Sequence, residues 1–459
     1  MPVTDKANFD FNSSNGLWAI DPNLKTPYVQ QWNIGYEREI FPNTALEVRY
    51  VGNHAIKVFR AYDINEVNIF ENGFLNEFTA AQKNLALYRA ANPNCATNAA
   101  GNGFPCQFGN AGLPGQINLP NMGVLFNGLV AANGFASTTF IANLDANNVG
   151  TMASSLAFSN TYKTSRTGLA QNYFVANPNA NIARILANDS MSNYHSLQIE
   201  VRRRFSAGLQ FQADYTFSKS LTDATDAAGS QSDLVSFRTL RDKHLDYRRA
   251  NTDQNQRFIA QVLYELPFGK GKPWLSSNGW MDQLVGHWNI GSIVTWQGRP
   301  PWYVAAGRTT FNSFNSGNNP AKLLVPLAEF QKHVGLFKDP RGIFFIDPAI
   351  LDITTRPDGR VLTSKIKPGW LTTPAPGEFG DFPLNSLNGP RYFNLDLSVT
   401  KRWPITESIR LELKTTMINV LNHPNFVYGT QNFDSTTFGV ISGQSGNNRI
   451  IHFIGTMTF

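Results

Sequence analysis

The chain has 459 residues, a formal net charge of +6, 16% charged residues and 12% aromatic residues. Soluble globular proteins carry roughly 25% charged residues, so a soluble protein of this composition would be short of solvated surface. The mean hydropathy is −0.26 and no apolar run reaches the roughly 18 residues of a membrane-spanning helix, which excludes helical spans but not strands, whose alternation averages out.

Alternation of apolar and polar residues predicts strands along much of the chain. In residues 209–219, Leu209, Phe211 and Phe217 lie on one face, and Gln212 and Asp214 lie on the other. A tilted strand needs roughly 9–11 residues to cross a bilayer, and the segments are long enough. In chain order they are 27–39, 44–60, 193–205, 209–219, 255–266, 285–298, 391–402, 409–421 and 449–459.

The charged residues test this register, because it is set from the apolar residues alone. Every acidic residue inside the segments falls on the polar face: Glu37, Glu39, Glu47, Glu200, Asp214, Glu265, Asp396 and Glu412. Basic residues on the apolar face lie at or near strand ends, where they can extend to lipid headgroups: Arg38, Arg203, Arg391, Lys401 and Arg449. A soluble β-sandwich would also alternate, but its loops would be shorter.

The connections alternate in length, which is the asymmetry of outer-membrane barrels with periplasmic turns and extracellular loops. The short connections are 40–43, 206–208, 267–284 and 403–408. The predicted extracellular loops are 61–192, 220–254, 299–390 and 422–448. Within the first loop, residues 75–91 place Leu75, Phe78, Leu85 and Tyr88 on one helical face, which predicts a short amphipathic helix ended by Asn92-Pro93.

We therefore predict an all-β fold, an antiparallel transmembrane β-barrel of which this chain supplies about 9–12 strands. Its polar face would line the lumen and meet any permeating molecule or a plug. Mixed acids and bases are expected where a wall hydrogen-bonds to a plug, and they do not identify a substrate. The predicted lumen-facing residues are Gln31, Asn33, Glu47, Arg49, Gln198, Arg202, Gln212, Asp214, Gln261, Asn394, Asp396, Glu412 and Lys414.

Two clusters lie outside the strands. Cys95 and Cys106 sit in a Gly/Asn-rich stretch, where a disulfide in an oxidising compartment fits better than a metal site, which would need more ligands. A dense mixed cluster precedes strand 255–266, for which we weigh a salt-bridged rim against a ligand- or cation-binding vestibule. Its members are Asp242, Asp246, Arg248, Arg249, Asp253 and Arg257.

No catalytic constellation is found, so the chain is not expected to be an enzyme and needs no cofactor or metal. The 7 histidines are dispersed, without the paired spacing of a zinc site. Gly269-Lys-Gly-Lys272 lacks the earlier glycine and the following Ser/Thr of a phosphate loop. Basic residues do not cluster into a nucleic-acid stripe, so no nucleic-acid partner is expected.

The last predicted strand ends on an aromatic residue. Ile451, Phe453, Met457 and Phe459 share the lipid-facing side, which is the pattern of the signal read by the barrel-assembly machinery. The alternative is the buried last strand of a soluble sheet.

Four blocks resemble the Oar-like subgroup of TonB-dependent outer-membrane receptors. They are residues 24–35 (LKTPYVQQWNIG), 48–54 (VRYVGNH), 264–271 (YELPFGKG) and 419–426 (NVLNHPNF). The resemblance implies a plugged barrel of about 22 strands, preceded by a carboxypeptidase-regulatory-like β-sandwich and energised through TonB. The sequence has no counterpart of that β-sandwich, the plug, the TonB-binding box or a signal peptide, so further sequence upstream is expected.

The resulting hypothesis is an outer-membrane receptor or transporter of a Gram-negative bacterium that takes up or binds a large extracellular ligand, an oligosaccharide or a peptide. Its expected partners are outer-membrane lipid, the barrel-assembly machinery and, if the whole protein carries a plug, the TonB complex. One alternative is an adhesion or structural barrel that does not transport. Another is a secreted β-rich carbohydrate-binding protein, which would dissolve without detergent.

Overall fold

The computed structural model describes residues 16–95, 105–165, 167–224, 237–275, 280–312, 319–406 and 408–459. Parts of the predicted loops 61–192, 220–254 and 299–390 therefore lie outside the described residues. In the described part, the strands are β1 (Gly16–Ile20), β2 (Tyr28–Phe41), β3 (Thr44–Asp63), β4 (Ile182–Ser206), β5 (Leu209–Thr222), β6 (Arg248–Arg249), β7 (Gln256–Glu265), β8 (Trp288–Trp302), β9 (Lys322–Leu323), β10 (Val334–Asp339), β11 (Gly342–Ile346), β12 (Leu351–Thr355), β13 (Val361–Ile366), β14 (Leu371–Thr372), β15 (Leu387–Pro404), β16 (Arg410–Ile418), β17 (Asn425–Val427), β18 (Gly443–Ser445) and β19 (Ile450–Thr458).

In the part of the chain that the structure describes, the helices lie between strands of the large sheet. They are α1 (Phe74–Ala91), α2 (Pro120–Leu125), α3 (Thr138–Asp145), α4 (Val149–Phe158), α5 (Asn160–Lys163), α6 (Trp280–Val285) and α7 (Leu327–Lys332), with short 3-10 turns at Ala131–Asn133, Lys243–Asp246 and Pro348–Ile350.

One large sheet contains all nine predicted strands. Its order is β2-β3-β4-β5-β7-β8-β15-β16-β19, with β6 added to β5 and β1 parallel to β4. Neighbours along this path are antiparallel and follow one another among the long strands of the chain. Among the described residues the sheet is not closed, and β2 and β19 form its edges. The predicted antiparallel, all-β fold class is confirmed.

The connections differ at the two ends of the sheet. At one end, the turn end, they are residues 42–43, 207–208, 266–287 and 405–409. The two-residue turn at 207–208 has left-handed backbone, with φ of 52° at Ala207 and 81° at Gly208. This is the conformation of hairpin turns that match the twist of the strands. The other end, the loop end, carries the long connections.

The strands that lead into the first long connection are longer than predicted. β3 continues to Asp63 and β4 begins at Ile182, instead of ending at residue 60 and beginning at residue 193. Pairing persists through Asp63 and Arg184, but the register shifts near Val58 and Arg60. These irregularities interrupt the period-two pattern, so the sequence does not reveal the outer part of the wall.

The first long connection folds into a helical lobe, which we define as the described residues between 67 and 175. Helices α1 to α5 surround an apolar core that includes Phe74, Phe78, Phe140 and Leu156. The predicted helix 75–91 is confirmed as α1, and the backbone N–H of Asn92 donates to the Tyr88 carbonyl at its end, at 2.9 Å.

Strands also form within the connections predicted as loops 299–390 and 422–448. Together, the described residues of 302–387 and 428–441 form a β-rich lobe with a second apolar core. Two hairpins contribute to it, β10 with β11 and β12 with β13. Describing these connections only as loops was therefore incomplete: they bury their own apolar side chains, which stabilises them as folded units.

Candidate functional site

The polar face of the large sheet carries every predicted lumen-facing residue. Residues directly opposite each other on paired strands point to the same face, so the register can be followed from strand to strand. Gln198 lies opposite Arg49, and Gln212 lies opposite both Arg202 and Gln261. Gln261 and Asp396 both lie opposite Ile293, so they share this face as well. The remaining predicted residues follow by the same steps: Gln31, Asn33, Glu47, Asp214, Asn394, Glu412 and Lys414.

An acidic row crosses four adjacent strands on this face. Glu37 is opposite Glu47, Glu47 is opposite Glu200, and Glu200 is opposite Asp214. Like charges directly opposite each other destabilise a sheet. We call these four residues the acidic row. The sequence predicts that its members lie on the polar face, but it does not show that they lie opposite one another, because a single segment does not reveal the register between strands.

Two arginines partly neutralise the acidic row. Arg49 lies 3.4 Å from Glu47, and Arg202 lies 3.8 Å from Glu200 and also bonds to Glu37. Asp214 accepts hydrogen bonds from the Gln212 amide at 3.2 and 3.3 Å. Four carboxylates therefore meet two guanidinium groups, and this part of the face keeps an excess of negative charge.

The curvature of the sheet brings some of the predicted residues into a common concavity. A hollow of about 520 Å³ is lined by Arg202, Gln212, Gln261, Asp396 and Lys414. A smaller one, of about 50 Å³, is lined by Glu47, Arg49, Gln198 and Asp214.

The other predicted residues of the polar face lie outside these hollows. Gln31 and Asn33 lie on the edge strand β2. Asn394 donates to Asp396 at 2.9 Å. Glu412 accepts from Arg402 at 2.7 Å.

A pair of arginine substitutions distinguishes the two faces. Ala213 lies on the apolar face of β5 and Gln212 on its polar face. We expect Ala213→Arg to lower the free energy of unfolding in phospholipid vesicles by about 2–4 kcal/mol, because a lipid-facing charge must leave water. Gln212→Arg should have a much smaller effect. Urea titration followed by gel mobility of unheated samples measures both, and equal losses would contradict the assignment of faces.

One basic residue of the apolar face, Lys401, does not extend to the lipid headgroups as predicted. The side chain of Lys401 is only 1% exposed and donates to the Gly286 carbonyl. Its ammonium group lies 5.3 Å from the centre of the Trp288 ring and 5.6 Å from that of Trp403. Lys401 is buried because the connection between β7 and β8 folds over this part of the wall.

A buried ion-pair network occupies the loop end. Arg60 and Asp246 are 2.9 Å apart and each is 2% exposed. Asp246 also interacts with Arg238 at 3.2 Å and Arg248 at 3.8 Å. The Arg60 guanidinium lies 3.8 Å from the centre of the Phe237 ring. The predicted cluster included Asp246 and Arg248 but not Arg60, which is distant in the chain, nor Arg238, which lies 8 residues before Asp246.

The remaining members of the predicted cluster have separate places. Arg249 and Asp253 pair at 2.8 Å, Asp242 caps a 3-10 turn by accepting from the His244 backbone at 3.0 Å, and Arg257 lies on the polar face opposite Thr216. This arrangement favours the interpretation of a salt-bridged rim over that of an open vestibule.

Glu66 joins three of the long connections, which precede β4, β7 and β15 in the chain. It belongs to the β3–β4 connection, and its carboxylate accepts from the Asn312 side chain and from the Leu240 backbone, each at 2.8 Å. Arg241 reinforces this junction by pairing with Glu71, and its hydrogen bonds lower the pKa of that carboxyl to about 2. The loop-end segments therefore form one connected surface.

The helical lobe also packs directly on the segment that enters the β-rich lobe. The Gly150 backbone N–H donates to the Thr309 carbonyl at 2.8 Å, and the hydroxyls of Thr151 and Thr309 are 2.6 Å apart. A Cβ at Gly150 would lie 2.3 Å from the Asn312 backbone. Only glycine permits this approach of the two chains.

The two cysteines are joined within the helical lobe. Cys95 and Cys106 form a disulfide, and Cys106 is 1% exposed in the apolar core. The bond therefore ties the segment after α1 to the lobe. Because the chain has 2 cysteines, no thiol remains free.

The predicted assembly-signal residues lie along the edge strand β19 and just beyond it. Ile451, Phe453 and Met457 are opposite Met417, Thr415 and Leu411 on one face, and Phe459 is 86% exposed. Recognition by the assembly machinery stays a prediction.

No helix among the described residues combines the length and apolar character needed to cross a membrane. No group of three or more histidine, cysteine, aspartate or glutamate residues in the same ranges is arranged to hold a metal ion.

The chain matches several known structures at low sequence identity. The transporter YddB from Escherichia coli has 9% identity and a TM-score of 0.39, covering 97% of this chain and 34% of its own. The FrpB iron transporter from Neisseria meningitidis has 9% identity and a TM-score of 0.32, covering 96% and 32%. The ferripyoverdine receptor of Pseudomonas aeruginosa has 11% identity and a TM-score of 0.33, covering 95% and 27%. The chain thus spans about a third of the length of these structures.

No curated protein matches the sequence. A family model described as an outer membrane beta barrel domain matches residues 1–452, which is nearly the whole chain and includes every strand of the sheet up to β19. The chain belongs to the outer membrane beta barrel domain family, and its place is the outer membrane of a Gram-negative bacterium.

Proposed function

We propose that this chain is the barrel portion of a TonB-dependent receptor of the Oar-like subgroup, which binds or takes up a large extracellular ligand with energy supplied through TonB. In this proposal the loop end faces the medium and the turn end faces the periplasm, as in other bacterial outer-membrane barrels. The chain has no catalytic activity of its own and carries no cofactor.

The observation that carries the proposal is the charge of the polar face. The acidic row has four carboxylates, and among the described residues only Arg49 and Arg202 pair with it. A plug that presents basic side chains and amide donors would satisfy this wall by charge-assisted hydrogen bonds. A wall built to be filled in this way suits a receptor whose plug is displaced during transport.

The folded loop end supports binding of a large ligand. Both lobes have apolar cores, and the Gly150 backbone of the helical lobe donates a hydrogen bond to the Thr309 carbonyl of the β-rich lobe. A surface that is ordered before binding loses less conformational entropy when the ligand arrives. An oligosaccharide or a peptide is large enough to contact both lobes at once.

Photocrosslinking tests whether the polar face is covered by a plug. A photoreactive amino acid would replace Asp214 on the polar face, or Ala213 on the apolar face as a matched control, in the protein produced from its complete gene in cells. We expect an intramolecular crosslink from position 214 and none from position 213. No crosslink from position 214 would contradict a plugged receptor and favour an adhesion or structural barrel.

Growth competition tests the dependence on TonB. Cells that lack the gene would compete with the parent strain on media whose carbon source is a polysaccharide or a peptide mixture. We expect a growth defect on at least one medium, and we expect it to disappear when both strains also lack TonB. A defect that persists without TonB would argue for a function that does not use TonB energy.

The secreted carbohydrate-binding alternative does not agree with membership of an outer-membrane barrel family. The adhesion or structural alternative remains, and the two experiments above separate it from transport.

A further inference from the structure

The turn-end connection between β7 and β8 packs on the lipid-facing side of the wall. Lys401 lies on the face shared with Trp288 and Leu413, which are opposite it on the neighbouring strands. The carbonyl of Gly286 accepts from its ammonium group. The covering residues therefore lie outside the barrel, against the apolar face, and not across its lumen.

Further contacts hold α6 in this position. The Trp288 indole donates to the Leu284 carbonyl at 3.1 Å, and the Gln283 amide donates to the Pro404 carbonyl at 3.3 Å. Asp282 is 7% exposed and accepts from the Lys270 backbone at 2.6 Å. Gly269 lets the two arms of the connection meet, because a Cβ there would lie 2.6 Å from Gly286 Cα.

Large apolar side chains project outward from this anchored segment. Trp280 is 75% exposed, Leu284 63%, Trp274 60%, Leu275 53% and Met281 38%. We call these five side chains the outer apolar cluster. Water solvates large apolar side chains poorly, and several of them exposed on one short segment are typical of a contact with a membrane or a protein.

We propose that the outer apolar cluster inserts into the phospholipid leaflet at the turn end of the barrel and anchors it at the level of the headgroups. The cluster continues the lipid-facing wall, where Leu411 and Leu413 are 37% and 42% exposed. Tryptophan concentrates at membrane interfaces because its ring is apolar and its N–H is polar. The exposed Lys270 adds a positive charge beside the cluster, which suits phosphate headgroups.

This anchor has a structural consequence for the wall. Lys401 would otherwise present a charge on the lipid-facing side, and the same residues that cover it also carry the lipid-inserting side chains. The assignment to the periplasmic leaflet rests on the orientation proposed above, whereas insertion into lipid does not depend on TonB or on a plug.

Spin labelling tests the insertion. Both native cysteines are in the disulfide, so Leu284→Cys gives a single labelling site, with Trp280→Cys as a second variant. Val130→Cys is the aqueous control, since Val130 is 67% exposed in the helical lobe. The full chain would be reconstituted in vesicles of phosphatidylethanolamine and phosphatidylglycerol. Gel mobility of unheated samples would select folded protein, which we expect for both variants because their side chains are largely exposed.

Collision with oxygen and with a water-soluble nickel reagent then measures depth. We expect the labels at positions 284 and 280 to lie about 5–10 Å below the headgroups and the label at 130 to collide with nickel. Nickel access at 284 and 280 equal to that at 130 would overturn the proposal. Shielding from both reagents would also overturn it, because it would indicate a contact with protein, including a second copy of the chain.

Discussion

Replacing Asp246 by asparagine should lower the free energy of unfolding by about 3–5 kcal/mol. Asp246 lies 2.9 Å from Arg60 and also contacts Arg238 and Arg248. The neutral amide would remove the negative charge at the centre of this network, where Arg60 is just 2% exposed. Equilibrium unfolding in urea, followed by tryptophan fluorescence in lipid vesicles, measures the loss.

The matched control is the same substitution in an exposed pair. Asp145 pairs with Arg89 at 2.7 Å, and their side chains are 43% and 35% exposed. Exposed ion pairs contribute about 0–1 kcal/mol, so Asp145→Asn should change stability little. If the two substitutions had equal effects, burial would not be the reason that the rim network stabilises the barrel.

Phe74→Ala should destabilise the helical lobe by about 3–5 kcal/mol, because it leaves a cavity that the lobe fills only in part. Phe74 is 0% exposed, and its ring centre lies 5.0 Å from that of Phe174 and 6.5 Å from that of Phe78. Limited proteolysis of intact cells should cut this variant within the lobe much faster than the parent protein. The resistance of the barrel to dodecyl sulfate without heating should remain.

Val130→Ala is the control within the same lobe. Val130 is 67% exposed, and substitutions at exposed sites usually change stability by less than about 0.5 kcal/mol. Loss of dodecyl sulfate resistance in Phe74→Ala would contradict the independence of the lobe core from the wall.

The sequence predicted the wall because each spanning strand meets lipid on one side and polar groups on the other. That contrast survives in a single segment, for example in β5, where Phe211 and Gln212 face opposite ways. The outward half of β4 lacks the contrast, since it stands beyond the lipid and borders the lobes. Its alternation is lost, so the predicted strand begins only at residue 193, although β4 begins at Ile182.

The features that depend on pairing could not be read from one segment. The acidic row needs the relative register of four strands, and the Arg60–Asp246 pair joins residues far apart in the chain. The β-rich lobe is built from short strands such as β12 and β13, whose patterns are too brief to separate from turns. The covering of Lys401 depends on where the β7–β8 connection folds, which its composition does not specify.

The separate cores of the two lobes make the loop end exchangeable in evolution. Substitutions in distant, independent sites add with little coupling, so a lobe interior can diversify without disturbing the strands that carry it. The coupled positions include Glu66 with Asn312, Gly150 with Thr309, and Asn147 with Pro374. We expect a chimera that grafts new lobes onto this wall to fold when it preserves these junctions, so that under the proposed function the binding surface would change while the barrel stays constant.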